Sequence, residues 1–213
     1  MERPGKIVCV GRNYVEHAAE LGNAVPERPL LFLKPPSAVI GDGEAIVLPA
    51  ASRQVEHEGE IGVVIGARLH QGDERAARAA VAGVTCVNDV TARDLQKLDG
   101  QWTRAKGFDT FCPAGPRLLP VGADFDLAAL EVVCRVNGAV RQRGRAAELV
   151  FGIPALLAYI SNVMTLEPGD LVATGTPAGV GPLVDGDVVE VEIPGVGVLR
   201  NPVRSPARER RTA

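Results

Sequence analysis

No Cys-x-x-Cys pair occurs in this chain; its four cysteines, Cys9, Cys86, Cys112 and Cys134, are scattered. That spacing excludes a zinc knuckle and a dithiol redox motif, and leaves reduced, mostly buried thiols as the expectation. A phosphate loop is missing as well. The glycine-rich run Thr174-Gly175-Thr176-Pro177-Ala178-Gly179-Val180-Gly181 lacks the Gly-Lys-Ser/Thr ending of such a loop, so nucleotide binding is rejected. Neither sign of charge dominates: the net charge is -3 over 213 residues, and no nucleic-acid partner is expected. The longest apolar segment, Leu149 to Leu166, is interrupted by Pro154, Ser161 and Asn162, which favours a buried helix over a membrane span. The opening Met1-Glu2-Arg3-Pro4-Gly5-Lys6 holds no apolar stretch of signal-peptide length, so the expected location is the cytoplasm.

Enough apolar sequence is present to bury a core, with 46% hydrophobic and 23% charged residues. There is neither a fixed-period repeat nor a linker poor in apolar residues, so one domain over residues 1–213 is expected, with the Arg-rich 204–213 as a flexible tail. Apolar, β-branched runs bounded by Gly and Pro predict strands at Ile7 to Val10, Leu30 to Lys34, Ala45 to Leu48, Ile61 to Gly66 and Val84 to Val87. Asn137-Gly138 predicts a hairpin, and Val189-Glu190-Val191-Glu192-Ile193 alternates like a half-buried strand. Short helices are expected at Tyr14 to Leu21, at Asp73 to Val81, and after Thr91-Ala92-Arg93-Asp94, which has the spacing of a capping box. The fold class is α+β, predominantly β.

Three carboxylates stand out because each borders a segment that reads as buried. Glu58 and Glu60, in His57-Glu58-Gly59-Glu60, precede the strand at Ile61; Asp89, in Asn88-Asp89-Val90-Thr91, ends the run Val84-Thr85-Cys86-Val87. Alternation along a strand sends Glu58 and Glu60 to one face, with Cα atoms roughly 7 Å apart. Like charges in a dry site raise one another's pKa, and a cation relieves this. Oxygen-only ligands favour a hard ion, Mg²⁺ or Mn²⁺ rather than Zn²⁺. Spacing alone equally allows a solvated strand end for the glutamates and a helix N-cap for Asp89.

His17 and Glu20, three apart on a helix, pair so that a carboxylate orients an imidazole as a base for water; an ordinary surface pair has the same spacing. The glycines around Thr176 suit backbone donation to a substrate carboxylate, or a tight turn. Lys106, before Gly107, either reaches into a cleft or sits on the surface, and Arg93 with Gln96 shares a helical face with the same two outcomes.

Together these residues resemble the fumarylacetoacetate hydrolase family, in its short acylpyruvase-type branch. The resemblance runs from about Lys6 to Val203 and rests on several motifs in one order. They are Cys9-Val10-Gly11-Arg12-Asn13-Tyr14, Phe32-Leu33-Lys34-Pro35, His57-Glu58-Gly59-Glu60, Asn88 to Gln96, Lys106-Gly107-Phe108-Asp109 and Gly175-Thr176-Pro177. It implies a mixed β-roll or β-sandwich fold, Mg²⁺ or Mn²⁺ on Glu58, Glu60 and Asp89, and a homodimer. By the same resemblance, His17 and Glu20 match a water-activating dyad on a segment that orders as a lid, and Lys106 a catalytic lysine. Arg12, Arg93, Gln96 and Thr176 match substrate-contacting positions, and Lys34 a lysine near the pocket. The chain departs from the family at Ala146-Ala147-Glu148, where relatives often carry a hydroxyl residue and Asp; that touches a helix cap and not the metal site. It also lacks the N-terminal SH3-like domain of longer fumarylacetoacetases, which argues against fumarylacetoacetate itself as substrate.

The implied activity is metal-dependent hydrolysis of the C–C bond of a 3-acylpyruvate through a pyruvate enolate, with oxaloacetate decarboxylation as a further activity. Tautomerisation or isomerisation of a 2-oxo dioate is the alternative, since it draws on the same enolate. A non-catalytic metal or dicarboxylate binder is a third reading, against which His17, Glu20 and Lys106 weigh.

Overall fold

The computed structural model describes residues 3–20, 22 and 24–205, whose apolar runs pair into three sheets. The largest sheet runs β2 (Leu30–Lys34), β1 (Ile7–Gly11), β12 (Leu171–Ala173), β6 (Gly59–Ile65), β7 (Val81–Asn88), β9 (Cys112–Pro120), β3 (Val39–Ile40). A second runs β11 (Ala139–Arg145), β10 (Glu131–Val136), β14 (Val188–Ile193), β15 (Gly197–Arg204), β4 (Ile46–Val47). The third is small: β13 (Gly181–Pro182), β5 (Val55–His57), β8 (Thr91–Ala92). Most neighbours are antiparallel, while β1 with β12, β3 with β9 and β4 with β15 are parallel, so the sheets are mixed. The helices are short: α1 (Val15–Glu20), α2 (Glu74–Ala79), α3 (Arg93–Asp99), α4 (Thr103–Lys106) and α5 (Ile153–Val163). This is the α+β, mostly β class that the sequence predicts.

Strand alternation sorts the core onto two faces of the large sheet. Val8, Val10, Ile61, Val63 and Ile65 join a cluster with Val132, Val189 and Val191 of the second sheet and Leu156, Leu157 and Ile160 of α5. Ile7, Cys9, Val64, Leu171 and Ala173 form a smaller cluster on the opposite face. Every residue of β6 is buried, which is why its Ile61–Ile65 portion reads as a continuous apolar run. Pro154 sits in the first turn of α5, where its missing N–H costs no bond, and the helix covers only the middle of the Leu149–Leu166 segment. Among the described residues no helix is long and apolar enough to cross a membrane. All four cysteines are buried and unpaired.

One local expectation fails. Thr91 and Asp94 do not form a capping box: Thr91 pairs with Glu56 in the small sheet, its Oγ1 donates to the carbonyl of Asp89, and the N-cap of α3 is Ala92. Sheet pairing holds Thr91 outside the helix, and the Asp94 carboxylate instead accepts from Ser52 Oγ at 2.6 Å and Arg53 N at 2.8 Å. The hairpin at Asn137-Gly138 does form, with both residues in the left-handed region at φ 52 and 77. Leu21, the expected end of the first helix, and the tail from residue 206 lie outside the described residues.

Candidate active site

The last residues of β1, β7 and β12 and the first of β6 meet at one end of the large sheet. There the antiparallel register sets Gly59 opposite Asn88 and Glu60 opposite Val87. Asp89 N donates to Glu58 O at 2.8 Å, and Glu58 N donates to Asn88 Oδ1 at 2.9 Å. These two bonds tie the two carboxylate-bearing strand ends together. One carboxylate oxygen from each of Glu58, Glu60 and Asp89 lies within 4.8 Å of the others, and all three residues are buried. The solvated strand end and the N-cap are thereby excluded.

Cationic side chains surround this cluster. Lys106 Nζ, at the end of α4, donates to Glu58 Oε2 at 2.8 Å and Asp89 Oδ2 at 2.6 Å, and stands 4.9 Å above the Phe32 ring. Lys34 Nζ donates to Asp89 Oδ1 at 2.5 Å and to Val90 O at 3.0 Å. Arg93 donates through Nε to Glu56 Oε2 at 2.7 Å, through Nη2 to Glu58 Oε1, and through Nη1 to Gln96 Oε1 at 2.5 Å. Glu60 differs: it accepts from Gly175 N at 2.8 Å and, among the described residues, pairs with no cation.

The electrostatics follow from this asymmetry. Burial pushes Glu58 up, but Lys106 and Arg93 outweigh it and hold the carboxyl well below the usual range. Burial, and then the charges of Asp89 and Glu58, raise Glu60 well above it. Burial lowers Lys106, yet Asp89 and Glu58 raise it overall, so the amine stays an ammonium at neutral pH. Oxygen donors alone, one of them lacking a cationic partner, suit a hard divalent cation.

A pH dependence follows. Because the folded-state pKa of Glu60 lies above its unfolded value, its protonation favours the metal-free fold at acid pH, and that contribution is lost as pH rises through the folded pKa. A bound cation must displace that proton. Titrating Mg²⁺ into chelator-treated protein, in buffers of different ionisation enthalpy, is expected to show proton release and an affinity that strengthens with pH. Binding without proton release and with the same affinity at every pH would contradict this.

Above the carboxylates opens a cavity of about 480 Å³. Arg93, Gln96, Lys106 and Thr176 line its inner wall together with Glu58, Glu60 and Asp89. His17 and Glu20 also line it, with His17 Nδ1 3.3 Å from Glu20 Oε2. The Glu20 carboxylate accepts from Gly179 N at 3.0 and 3.2 Å, fastening the end of α1 to the glycine-rich loop. Arg12, Lys97, Phe32 and Trp102 also line it, and Arg12 adopts φ 58, a left-handed conformation rare outside glycine. Thr176 Oγ1 is engaged on both sides, donating to Gly59 O at 3.0 Å and accepting from Gln142 Nε2 at 2.7 Å. The structure thus brings every sequence-selected residue but one to a single cavity. The exception is Lys34, which lies behind Asp89 and not in the lining.

The family model described as fumarylacetoacetate (FAA) hydrolase C-terminal matches residues 6–204. The chain belongs to that family. A mitochondrial oxaloacetate decarboxylase of Dictyostelium discoideum is 43% identical over 196 residues, 90% of this chain and 89% of the relative. A human mitochondrial oxaloacetate tautomerase is also 43% identical, over 94% of this chain and 67% of its own length. A crystal structure of a 5-carboxymethyl-2-hydroxymuconate delta-isomerase from Mycobacterium smegmatis superposes with a TM-score of 0.88 at 47% identity, covering 97% of this chain and 81% of that one.

In this fumarylacetoacetate hydrolase family member, Ala146-Ala147-Glu148 forms a short 3₁₀ turn in which Glu148 Oε2 accepts from Arg145 N at 2.9 Å. Sequence reasoning overlooked Glu56, Asn88, Lys97, Gln142 and the Trp102 wall. Glu56 had a signal: its spacing continues the alternation as Glu56-x-Glu58-x-Glu60, a run that the structure divides between β5 and β6.

Proposed function

We propose that the chain is a Mg²⁺- or Mn²⁺-dependent enzyme of small 2-oxo dicarboxylates, working through an enolate to tautomerise or decarboxylate oxaloacetate-like substrates. The observation that carries this is the buried Glu58, Glu60 and Asp89 cluster facing a cavity beside Lys106, which bonds to two of the three carboxylates. The activities named for the Dictyostelium, human and mycobacterial relatives support it. Glu58, Glu60 and Asp89 would hold a divalent cation, which would supply Lewis acidity to the 2-oxo acid head of the substrate.

The residues of the chain divide the remaining work. The Lys106 ammonium, held by Glu58 and Asp89, stabilises negative charge developing on the substrate oxygen. Arg93, braced by Glu56 and Glu58, and its neighbour Gln96 orient the head group. When His17 donates its Nδ1 proton to Glu20, Nε2 is left to take a proton from C3 of the substrate. Arg12 and Lys97 line the cavity without a carboxylate partner among the described residues, and suit a second substrate carboxylate. Lys97→Ala is expected to raise KM for oxaloacetate about fivefold, the scale of a partly exposed ion pair, and to leave KM for acetylpyruvate unchanged. Equal effects on both would remove this residue from the tail site.

Acylpyruvate hydrolysis is the second reading, favoured by one observation: the same His17 and Glu20 pair faces the cavity, where it would activate water as readily as remove a C3 proton. Purified protein assayed in parallel for enol–keto exchange, CO₂ and pyruvate separates the two. Metal-dependent exchange or CO₂ release from oxaloacetate is expected. Pyruvate from acetylpyruvate with neither of these would favour the hydrolase. A homodimer, the assembly implied by family membership, is open to analytical ultracentrifugation.

A further inference from the structure

The geometry points to Gln142 as a positioning residue that sets the cation-bearing strand and the Thr176 loop in register with each other. This rests on the proposed cation site and extends it to a side chain from a different sheet.

Gln142 lies on β11, at the far edge of the five-stranded sheet, yet its side chain is buried between Gly59 and Pro177. A β-bulge puts it there. Cys134 pairs with Gln142 and Arg135 with Val140, so Arg141 is the extra residue in the ladder. Residues 139–141 are exposed, whereas beyond the bulge Gln142 and Gly144 point inward. Without that extra residue the hairpin would present a different side chain to the site.

The carboxamide uses all its main bonding directions. Oε1 accepts from Gly59 N at 2.9 Å and lies 3.1 Å from His57 Nδ1; Nε2 donates to Thr176 Oγ1 and to Pro177 O, each at 2.7 Å. Gly59 N can only donate and Pro177 O can only accept, so the amide has one possible orientation. Gly59 is the residue between Glu58 and Glu60, and its peptide plane decides where both carboxylates aim. Thr176 lines the same cavity and donates directly to Gly59 O. One side chain therefore holds both the carboxylate-bearing segment and the loop.

Close packing leaves this bracket little play. A Cβ at Gly59 would stand 2.7 Å from Cys134 Cβ, one at Gly144 would stand 2.8 Å from Pro177 Cβ, and one at Gly179 would stand 2.0 Å from Arg141 O. Both the carboxylate strand and the glycine-rich loop thus press directly on the bulged hairpin.

The test is Gln142→Met, which keeps length and removes all four polar contacts, with Mn²⁺ titrated into chelator-treated protein and oxalate titrated into the Mn²⁺-loaded form. Both affinities are expected to fall by about tenfold or more, the range for residues that orient metal ligands. A residue that merely filled space would lower the melting temperature and leave both affinities in place, and that result overturns the proposal. If Gln142→Met does not fold, Gln142→Glu keeps an oxygen facing Gly59 and replaces the amide donor facing the loop with a second oxygen set against Pro177 O. It is expected to bind Mn²⁺ within about threefold of wild type and oxalate about tenfold more weakly; unchanged oxalate binding overturns the proposal. Wild-type protein that binds no Mn²⁺ would instead remove the cation site itself, an outcome distinct from failure of Gln142 alone.

Discussion

Glu60→Gln is expected to abolish cation binding and to lower turnover by about a thousandfold or more, the consequence of losing several kcal/mol of transition-state charge stabilisation. The substitution preserves shape, and its Oε1 can still accept from Gly175 N. What it removes is the one carboxylate of the cluster without a cationic partner. Glu58 and Asp89 share Lys106, while Lys34 and Arg93 complete their pairing, so both remain matched. The metal-free variant is expected to be at least as stable as metal-free wild type at neutral pH, because burial and like charge oppose ionisation of Glu60. Any advantage should disappear at acid pH, where wild-type Glu60 is itself protonated. Thermal melts of both proteins under chelator, across pH, read this directly; a variant less stable at neutral pH would mean that Glu60 is ion-paired in a way the structure does not contain.

Lys106→Met should act in the opposite direction on stability. Its ammonium is fully buried and bonded to two carboxylates, and removing one partner of a buried ion pair leaves uncompensated charge at a cost of about 3–5 kcal/mol. Turnover is expected to fall by about a hundred- to a thousandfold, as when one charge-stabilising donor is lost from an active site. Added Mg²⁺ should recover a larger share of stability in the variant than in wild type, since the cation takes over neutralisation of Glu58 and Asp89. Denaturant melts with and without Mg²⁺ measure both quantities. A variant as stable as wild type without metal would contradict the placement of Lys106 between the carboxylates.

Much of this molecule was legible because local and global preferences agree. Leu30 to Lys34 is a strand in pattern and in fact, and β6 reads as interior because both its faces are covered. The carboxylates could be singled out because an acidic residue at the end of an apolar strand is costly without a partner. Thr91 misled because its capping-box spacing is local, while its pairing with Glu56 is tertiary and wins. Lys34 was expected near the pocket by resemblance alone, and its position behind Asp89 depends on the β1–β2 pairing that carries it into the sheet. Gln142 carried no sequence signal at all. Its direction is decided by an extra residue in a distant hairpin, and nothing in Val140-Arg141-Gln142-Arg143 distinguishes it from an exposed edge strand.

The most direct test of the central claim, that Glu58, Glu60 and Asp89 hold a divalent cation which presents a 2-oxo acid, is a Mn²⁺ titration followed by electron paramagnetic resonance with and without oxalate. Wild-type protein is expected to bind a single Mn²⁺ per chain, oxalate is expected to alter its spectrum, and Glu60→Gln is expected to do neither. Mn²⁺ binding of equal stoichiometry and affinity in Glu60→Gln, or an oxalate affinity indifferent to the metal, would contradict it.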